Sequence, residues 1–197
     1  MGIPQPATQP RRFTLDIVGK FLKQYWKSYV ILFLIAGMII ALDQWTKALV
    51  RTHVPLGTDW IPDGLAWLAP YMRVRSWYNS GAAFGLFQQG NLILAILAVV
   101  VACFILYYLP RISREDWWLR LAVSMQFAGA LGNLIDRIRF GHVTDFISVG
   151  NFAIFNVADS SLSVGVAILV LGILIKERAE KKRATASILA EDGIKSE

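Results

Sequence analysis

Cysteine and histidine are scarce in this chain. Its 197 residues include one cysteine, Cys103, and two histidines, His53 and His142. A single cysteine excludes a disulfide framework and any zinc or iron–sulfur centre built from several cysteines. Two histidines are a poor basis for a histidine-based metal centre. We therefore predict that the protein uses no metal and no cofactor.

Charged residues are also few. They make up 17% of the chain, against about 25% in an average soluble domain, whereas 55% of the residues are hydrophobic. This composition excludes a disordered chain, a collagen-like chain and a soluble domain with a charged surface. The net charge of +6 would suggest nucleic-acid binding in a soluble protein. In a membrane protein it indicates basic residues at the cytoplasmic face, so we predict no nucleic-acid partner.

Long apolar stretches are abundant instead. A helix needs about 20 mostly apolar residues to cross a bilayer, and four stretches meet this requirement. They predict a membrane all-α fold with four transmembrane helices, because too few residues remain to cover four buried helices in a soluble protein. The predicted spans are residues 29–50, 91–109, 117–136 and 154–175.

Lysine and arginine are concentrated in segments that lie on the same side of the membrane if the chain crosses it four times. Most of the 20 basic residues lie in the N-terminal arm, the connection between the second and third spans, and the tail. The positive-inside rule therefore predicts that both termini are cytoplasmic. We divide the chain into a cytoplasmic or interfacial arm (1–28), a four-helix transmembrane domain (29–175) and a cytoplasmic tail (176–197). The arm is predicted as an amphipathic interfacial helix, and the tail as a frayed helix or disordered.

The two outward connections contain patterns typical of β-strands. Residues 71–77 alternate with a period of two, which predicts a strand. Residues 144–155 are predicted as two short strands around a two-residue turn at Gly150 and Asn151. A small β element is therefore expected at the outer membrane surface.

Four aspartates lie at or near the outer ends of the predicted spans. They are Asp43, Asp136, Asp145 and Asp159. An ionisable residue in a membrane is costly, so it indicates a functional site unless another role is found. Four acids at one depth favour a site at the outer face over a proton or cation path, which would spread charges through the bilayer.

Two of these aspartates have basic neighbours and two do not. Lys47 follows Asp43 at the i+4 position, and Arg137 is adjacent to Asp136. Asp43 and Lys47 are also consistent with a simple ion pair at a helix end. Asp136 and Arg137, with Asn133, are also consistent with a structural polar cluster. Asp145 and Asp159 have no basic neighbour, and two such carboxylates brought together share one proton. One then activates a water while the other donates a proton to a carbonyl, which is aspartic protease chemistry.

Five sequence blocks together make the chain resemble the bacterial lipoprotein signal peptidase family, also called signal peptidase II. Each block is weak alone, but all five in this order are highly specific. Two features depart from the family pattern: Thr144 stands where valine is common, and the spacing of the last two aspartates looks short. The blocks are residues 43–47, 79–84, 132–137, 143–146 and 155–160.

The resemblance implies four transmembrane helices, a small extracytoplasmic β-cradle and an aspartic endopeptidase of the bacterial cytoplasmic membrane. Its substrates would be prolipoproteins whose cysteine carries a diacylglyceryl group, cut just before that cysteine. It would act as a monomer in contact with membrane lipids and without a metal. The alternatives are a small transporter or channel subunit that uses the aspartate cluster, or a scaffold protein. The implied catalytic residues are Asp145 and Asp159, supported by Asp43, Lys47, Asn79, Gly81, Asn133, Asp136, Arg137, Asn156 and Ala158.

Overall fold

A computed structural model describes residues 10–81 and 90–194 of the chain. These residues form four long helices, three strands and two short 3-10 helices. The 3-10 helices are Asp63–Leu68 and Leu109–Arg111. The helices are α1 (Pro10–His53), α2 (Asn91–Tyr108), α3 (Trp117–Phe140) and α4 (Val157–Ile194), and the strands are β1 (Asp59–Trp60), β2 (Met72–Asn79) and β3 (Val143–Val149).

Three helical segments are long and apolar enough to cross a membrane. They are Gln24–His53, Asn91–Arg111 and Val157–Thr185. Large hydrophobic side chains on these segments point away from the rest of the protein, including Phe33 on α1 and Leu92 on α2. Such a surface is stable only in contact with lipid. The chain is therefore a multi-pass membrane protein, and three of the four predicted spans are confirmed as candidates.

The third predicted span corresponds to α3, which lies in the centre of the bundle. It packs against α1, α2 and α4. Polar side chains such as Gln126 and Asn133 make it less apolar than the three candidate membrane segments. A helix enclosed by its neighbours needs no continuous lipid-facing surface. The main apolar core joins α3 to α1 and α2 through Leu32, Ala36, Ala102, Ile105 and Phe127.

Glycines on α3 allow the neighbouring helices to approach closely. A Cβ atom at Gly129 would lie 2.6 Å from Leu162 Cγ and would also meet the carbonyl oxygen of Ala158 on α4. A Cβ atom at Gly132 would lie 2.8 Å from Asp43 Oδ2 on α1. Small residues at these positions therefore bring α1 and α4 together at the level of the acidic residues.

The strands form one antiparallel sheet with the order β1-β2-β3. The predicted strand over 71–77 is confirmed as β2. Of the two strands predicted within 144–155, only the first is present among the described residues. After the turn, the pairing is limited to a single bridge between Phe155 and Ile147. The second strand prediction was wrong: the chain must turn at Asn156 to begin α4. A shift in register between Val74 and Trp77 pairs Trp77 with Asp145.

The helix boundaries differ from the predicted segment boundaries. Helix α1 continues without a break through residues 28 and 29, so the arm is not a separate helix in the described part. Helix α4 likewise continues past residue 175 to Ile194, so the described part of the tail is helical, the first of its two predicted alternatives. Neither boundary contains glycine or proline, the residues that commonly end a helix. Residues 1–9 of the arm and 195–197 of the tail lie outside the described residues.

Candidate active site

The predicted site residues converge at one end of the helix bundle, where α1, α3 and α4 meet the sheet. Asp43 lies in α1, Asp136 near the end of α3, Asp145 in β3 and Asp159 in the first turn of α4. Asp43, Asp136 and Asp145 are fully buried, and Asp159 is partly buried. The four acids, which lie between positions 43 and 159 of the sequence, therefore form one cluster.

A fully buried lysine holds the centre of this cluster. The Nζ atom of Lys47 lies 2.9 Å from Asp43 Oδ2 and 3.4 Å from Asp136 Oδ2. It also donates a hydrogen bond of 3.0 Å to Asn133 Oδ1. A lysine ammonium has three N–H donors and no acceptor, so these three partners satisfy it completely. The ammonium also offsets part of the negative charge that folding has buried.

Asp136 pairs with residues other than the one predicted from the sequence. Its ion pairs are with Lys47 and with Arg51, whose Nη1 lies 3.6 Å from Asp136 Oδ1. Adjacent helical residues point in different directions, so Arg137 cannot face the same partners. Arg137 instead donates a hydrogen bond to the carbonyl oxygen of Gly81. The backbone N–H of Thr144 donates to Asp136 Oδ2 at 3.0 Å, which fixes β3 against α3.

Asn156 and Asp159 form a reciprocal cap at the N-terminus of α4. The backbone N–H of Asp159 donates to Asn156 Oδ1 at 2.9 Å, and the backbone N–H of Asn156 donates to Asp159 Oδ2 at 3.2 Å. This is the capping-box arrangement, with aspartate in the third position. The next unpaired donor, the N–H of Ala158, is satisfied by Asp43 Oδ1 at 2.9 Å. The start of α4 is thus fixed by two of the acids in the cluster.

Asparagine side chains connect the two aspartates that lack basic neighbours. Asn156 Nδ2 donates to Asp145 Oδ1 at 2.7 Å and to Asn133 Oδ1 at 3.1 Å. Asn133 Nδ2 donates to Asp159 Oδ1 at 2.8 Å. Asn79 Nδ2 donates to the other oxygen of Asp145 at 2.9 Å, and its own Oδ1 accepts from the N–H of Gly81. Within residues 10–81 and 90–194, neither aspartate forms an ion pair with a basic side chain.

The environment of Asp145 favours its protonated form. Burial raises the pKa of this carboxyl group to about 7, and the charge of Asp159 adds to the effect. Hydrogen bonds from Asn79 and Asn156, and the charge of Lys47, act in the opposite direction but do not cancel the increase. Asp145 therefore holds a proton for much of the time at neutral pH.

A cavity of about 730 Å³ opens beside the two aspartates. Asp145, Asp159, Asn133 and Arg137 lie at its polar end. The rest of the wall is mainly apolar and includes Leu94, Leu97, Ala98 and Val101 of α2 and Leu162 of α4. In the ranges that the structure describes, no group of three or more His, Cys, Asp or Glu side chains is placed to hold a metal ion.

Two polar residues of the site, Gln44 and Arg51, were missed by the sequence analysis. Gln44 donates to Asp43, Asp136 and the carbonyl oxygen of Gly132. Arg51 Nη1 donates to Thr144 Oγ1 at 2.9 Å in addition to its ion pair with Asp136. Arg51 is four residues after Lys47 on the same face of α1, and this spacing was the signal that could have identified it.

Residues 82–84 of the second sequence block lie outside the described residues.

Comparisons with known proteins identify relatives over most of the chain. The sequence model of the family described as "Signal peptidase (SPase) II" matches residues 35–175. The chain is 40% identical over 164 residues to a lipoprotein signal peptidase of Mesorhizobium japonicum, covering 81% of this chain and 92% of the relative. It is 38% identical over 161 residues to that of Halalkalibacterium halodurans, covering 80% of this chain and 100% of the relative. A solved structure described as a bacterial membrane enzyme matches with a TM-score of 0.69 at 31% identity, covering 77% of this chain and 91% of that chain.

Replacing Asp43 should affect stability more than chemistry. In Asp43→Asn, Lys47 loses its nearest carboxylate while it remains buried, and breaking a buried pair costs about 3–5 kcal/mol. We expect lower folded yield and a lower Tm in detergent, with activity per folded molecule reduced much less. The exposed Asp63→Asn is the control and should leave Tm unchanged. A fully stable but inactive Asp43→Asn protein would place Asp43 in the catalytic set instead.

Proposed function

The chain belongs to the signal peptidase II family and is a membrane protease that cleaves lipoprotein signal peptides, and we propose that Asp145 and Asp159 are its catalytic dyad. The observation that carries this proposal is the contrast among the four acids. Asp43 and Asp136 are neutralised by Lys47 and Arg51. Asp145 and Asp159 are connected by amides at the polar end of the cavity. Nothing in the comparisons supports a transporter or channel.

In the proposed reaction the two carboxyl groups share one proton. Asp145, whose pKa is raised to about 7, supplies the protonated member, and Asp159 supplies the carboxylate. Asp159 takes a proton from a water that attacks the scissile carbonyl carbon, while Asp145 donates its proton to the carbonyl oxygen. When the tetrahedral intermediate collapses, the C–N bond breaks and the leaving amine takes the proton that Asp159 received from the water. One hydroxyl group of the intermediate returns a proton to Asp145, which restores the starting state of the dyad. The two aspartates supply and accept every proton in this reaction, so the proposed mechanism requires no metal.

Lys47 and two asparagines are proposed to orient the dyad. Because Lys47 can only donate hydrogen bonds, Asn133 must turn its oxygen towards it. The amide NH2 of Asn133 is then available for Asp159. Asn156 gives its NH2 to Asp145 for a similar reason, since its oxygen accepts from the backbone of Asp159. These are positioning residues, because they act on the carboxyl groups rather than on the substrate.

Arg137, Asn79, Gly81 and Ala158 complete the proposed site. Arg137 lines the cavity, and its Nε has no hydrogen-bond partner among the described residues. We assign this donor to a main-chain carbonyl of the substrate. Asn79 holds Asp145 and also accepts from the N–H of Gly81. The fully buried Ala158 has only a methyl group, which leaves room for the contact of α4 with Gly132.

The proposed substrate is a prolipoprotein whose cysteine carries a diacylglyceryl group, cut just before that cysteine. The cavity supports this proposal because it joins the aspartates to an apolar wall formed by α2, residues 152–155 and α4. Acyl chains in the membrane and a signal helix between the spans would place the scissile bond at the depth of the dyad. Prior positioning of this kind removes much of the entropic cost of reaction.

The membrane topology completes the proposal. We assign α3 as a fourth span, because it has 24 residues and packs against the three helices that contain the candidate spans. The basic residues then place both termini in the cytoplasm and the aspartates at the outer face of the bacterial cytoplasmic membrane. The proposed division remains an arm over 1–28, a peptidase domain over 29–175 and a tail over 176–197, acting as a monomer among membrane lipids.

The dyad is tested by Asp145→Asn and Asp159→Asn. Both variants should fold and bind a diacylglyceryl-modified prolipoprotein, yet each should cleave it at less than about a tenth of the parent rate, a barrier increase of at least about 1.4 kcal/mol. The double variant should be little worse than either single variant, since the pair works as a unit. Asp63→Asn should retain full activity. If either single variant keeps more than a tenth of the rate, Asp136 becomes the next candidate.

The raised pKa of Asp145 predicts how stability depends on pH. Between about pH 4 and pH 7 the folded protein binds more protons at this group than the unfolded chain, whose aspartate pKa is about 3.9. Stability therefore falls as pH rises through this window. From pH 5 to pH 8, the Tm of the parent should therefore fall by several degrees relative to the Tm of Asp145→Asn. A difference that is constant with pH, as expected for Asp63→Asn, would contradict the raised pKa.

Lipid dependence tests the substrate assignment separately from the dyad. The same prolipoprotein should be cleaved at least about tenfold faster with the diacylglyceryl group than without it, because the lipid positions the scissile bond. The measurement is release of the signal peptide from both forms in the same detergent. Equal rates would contradict the proposed substrate class but leave the dyad intact.

A further inference from the structure

A second cavity lies at the end of the bundle that is opposite to the aspartates. It has a volume of about 400 Å³ and is formed by the first part of α1 and the start of α3. Lys27, at this cavity, precedes the site residue Lys47 by twenty positions on α1. At 1.5 Å per residue this separation is roughly 30 Å, which is the thickness of the hydrocarbon core of a bilayer. The two cavities thus lie at opposite membrane surfaces.

Three cations line the second cavity, and none of them has a carboxylate partner. They are Lys27, Arg114 and Arg120. Within the described ranges no carboxylate oxygen lies within ion-pair distance of any of them. Asp116, the nearby acid, is instead paired with Lys176 at 3.1 Å. Asp116 also acts on Arg120 electrostatically, from beyond ion-pair distance. The three cations outnumber this acid, so the cavity has an excess of positive charge.

Arg120 is held at the mouth of the cavity by neutral groups. Its Nη1 donates to the buried Ser28 Oγ at 2.7 Å, and its Nη2 and Nε donate to the carbonyl oxygens of Ile112 and Ser113. A guanidinium has five N–H donors, so donors remain for a further acceptor. These contacts fix the side chain without neutralising it, which is the arrangement expected at an anion-binding site.

The same cavity becomes apolar in the direction of the membrane interior. Ile31 and Ile35 follow Lys27 at intervals of four residues, so the three side chains lie in one row along α1. Leu121 on α3 lines the opposite wall, and the largely exposed Trp117 lies at the entrance. Tryptophan is enriched at this level of a membrane, where its ring contacts both headgroups and acyl chains.

We infer that this cavity binds an anionic phospholipid from the leaflet opposite to the active site. The phosphate lies among Lys27, Arg114 and Arg120, and one acyl chain follows Ile31 and Ile35. Basic pockets between membrane helices bind such headgroups in general. With the proposed topology this is the cytoplasmic leaflet. The inference depends on membrane insertion and not on the identity of the catalytic residues.

The test uses the full-length protein in an uncharged detergent. Phosphatidylglycerol and phosphatidylcholine with identical acyl chains are added, and binding is measured by native mass spectrometry and by the shift in Tm. Phosphatidylglycerol should bind at least about tenfold more tightly. Inorganic phosphate at millimolar concentration should produce no comparable shift, because it lacks the acyl chains. No preference for phosphatidylglycerol, or an equal shift with inorganic phosphate, would overturn the proposal.

The variant Lys27→Gln/Arg114→Gln distinguishes this cavity from diffuse charge attraction. It should weaken phosphatidylglycerol binding roughly 30-fold, and each single substitution roughly fivefold, because each cation near a membrane surface contributes independently. Arg120 is kept because it also holds the loop before α3. The charge-matched control Arg178→Gln/Lys182→Gln changes two exposed cations outside the cavity and should have little effect. Equal losses in both double variants would overturn the proposal. An unchanged cleavage rate without added lipid confirms that each variant is folded.

Discussion

The buried ammonium group of Lys47 is the interaction on which the active-site end of the protein depends. It is fully buried and is satisfied by two carboxylates and one amide oxygen, supplied by α1 and α3. Through Asp43 it is also connected to the first turn of α4, since Asp43 accepts the N–H of Ala158. Three helices therefore meet around one charge. Removing a single partner leaves the others buried and unpaired, which makes the cluster cooperative.

This arrangement divides four nearby aspartates into two chemical classes. Asp43 and Asp136 have cationic partners and serve to hold helices and strand together. Among the described residues, Asp145 and Asp159 receive hydrogen bonds only from amide groups, which orient a carboxyl group without cancelling its charge. Burial then raises the pKa of Asp145 to about 7. The same cluster thus supplies rigidity from one pair and a titratable group from the other.

The sequence was sufficient for the elements whose signals are local. Long apolar stretches located all four helices, alternation located β2, and the absence of basic neighbours distinguished Asp145 from Asp43. It failed where the decisive contact is between distant segments. The partners of Asp136 are Lys47 and Arg51 on another helix, whereas sequence proximity suggested Arg137. The second strand predicted after Gly150 is missing because a helix cap at Asn156 begins α4. Helix α1 continues through position 28 because no helix-ending residue lies there.

The capping box of α4 connects folding directly to the proposed chemistry. Asp159 Oδ2 accepts the N–H of Asn156, so this oxygen has a structural role, while Oδ1 accepts only from the amide of Asn133. The side chain is therefore fixed by the helix terminus rather than by a flexible loop. The dipole at a helix N-terminus also favours a negative charge there. The backbone N–H and the helix terminus thus favour the ionised form of Asp159, whereas Asp145 in β3 lies at no helix terminus. The difference between a helix terminus and a strand is thus a physical reason for the two aspartates to take different protonation states.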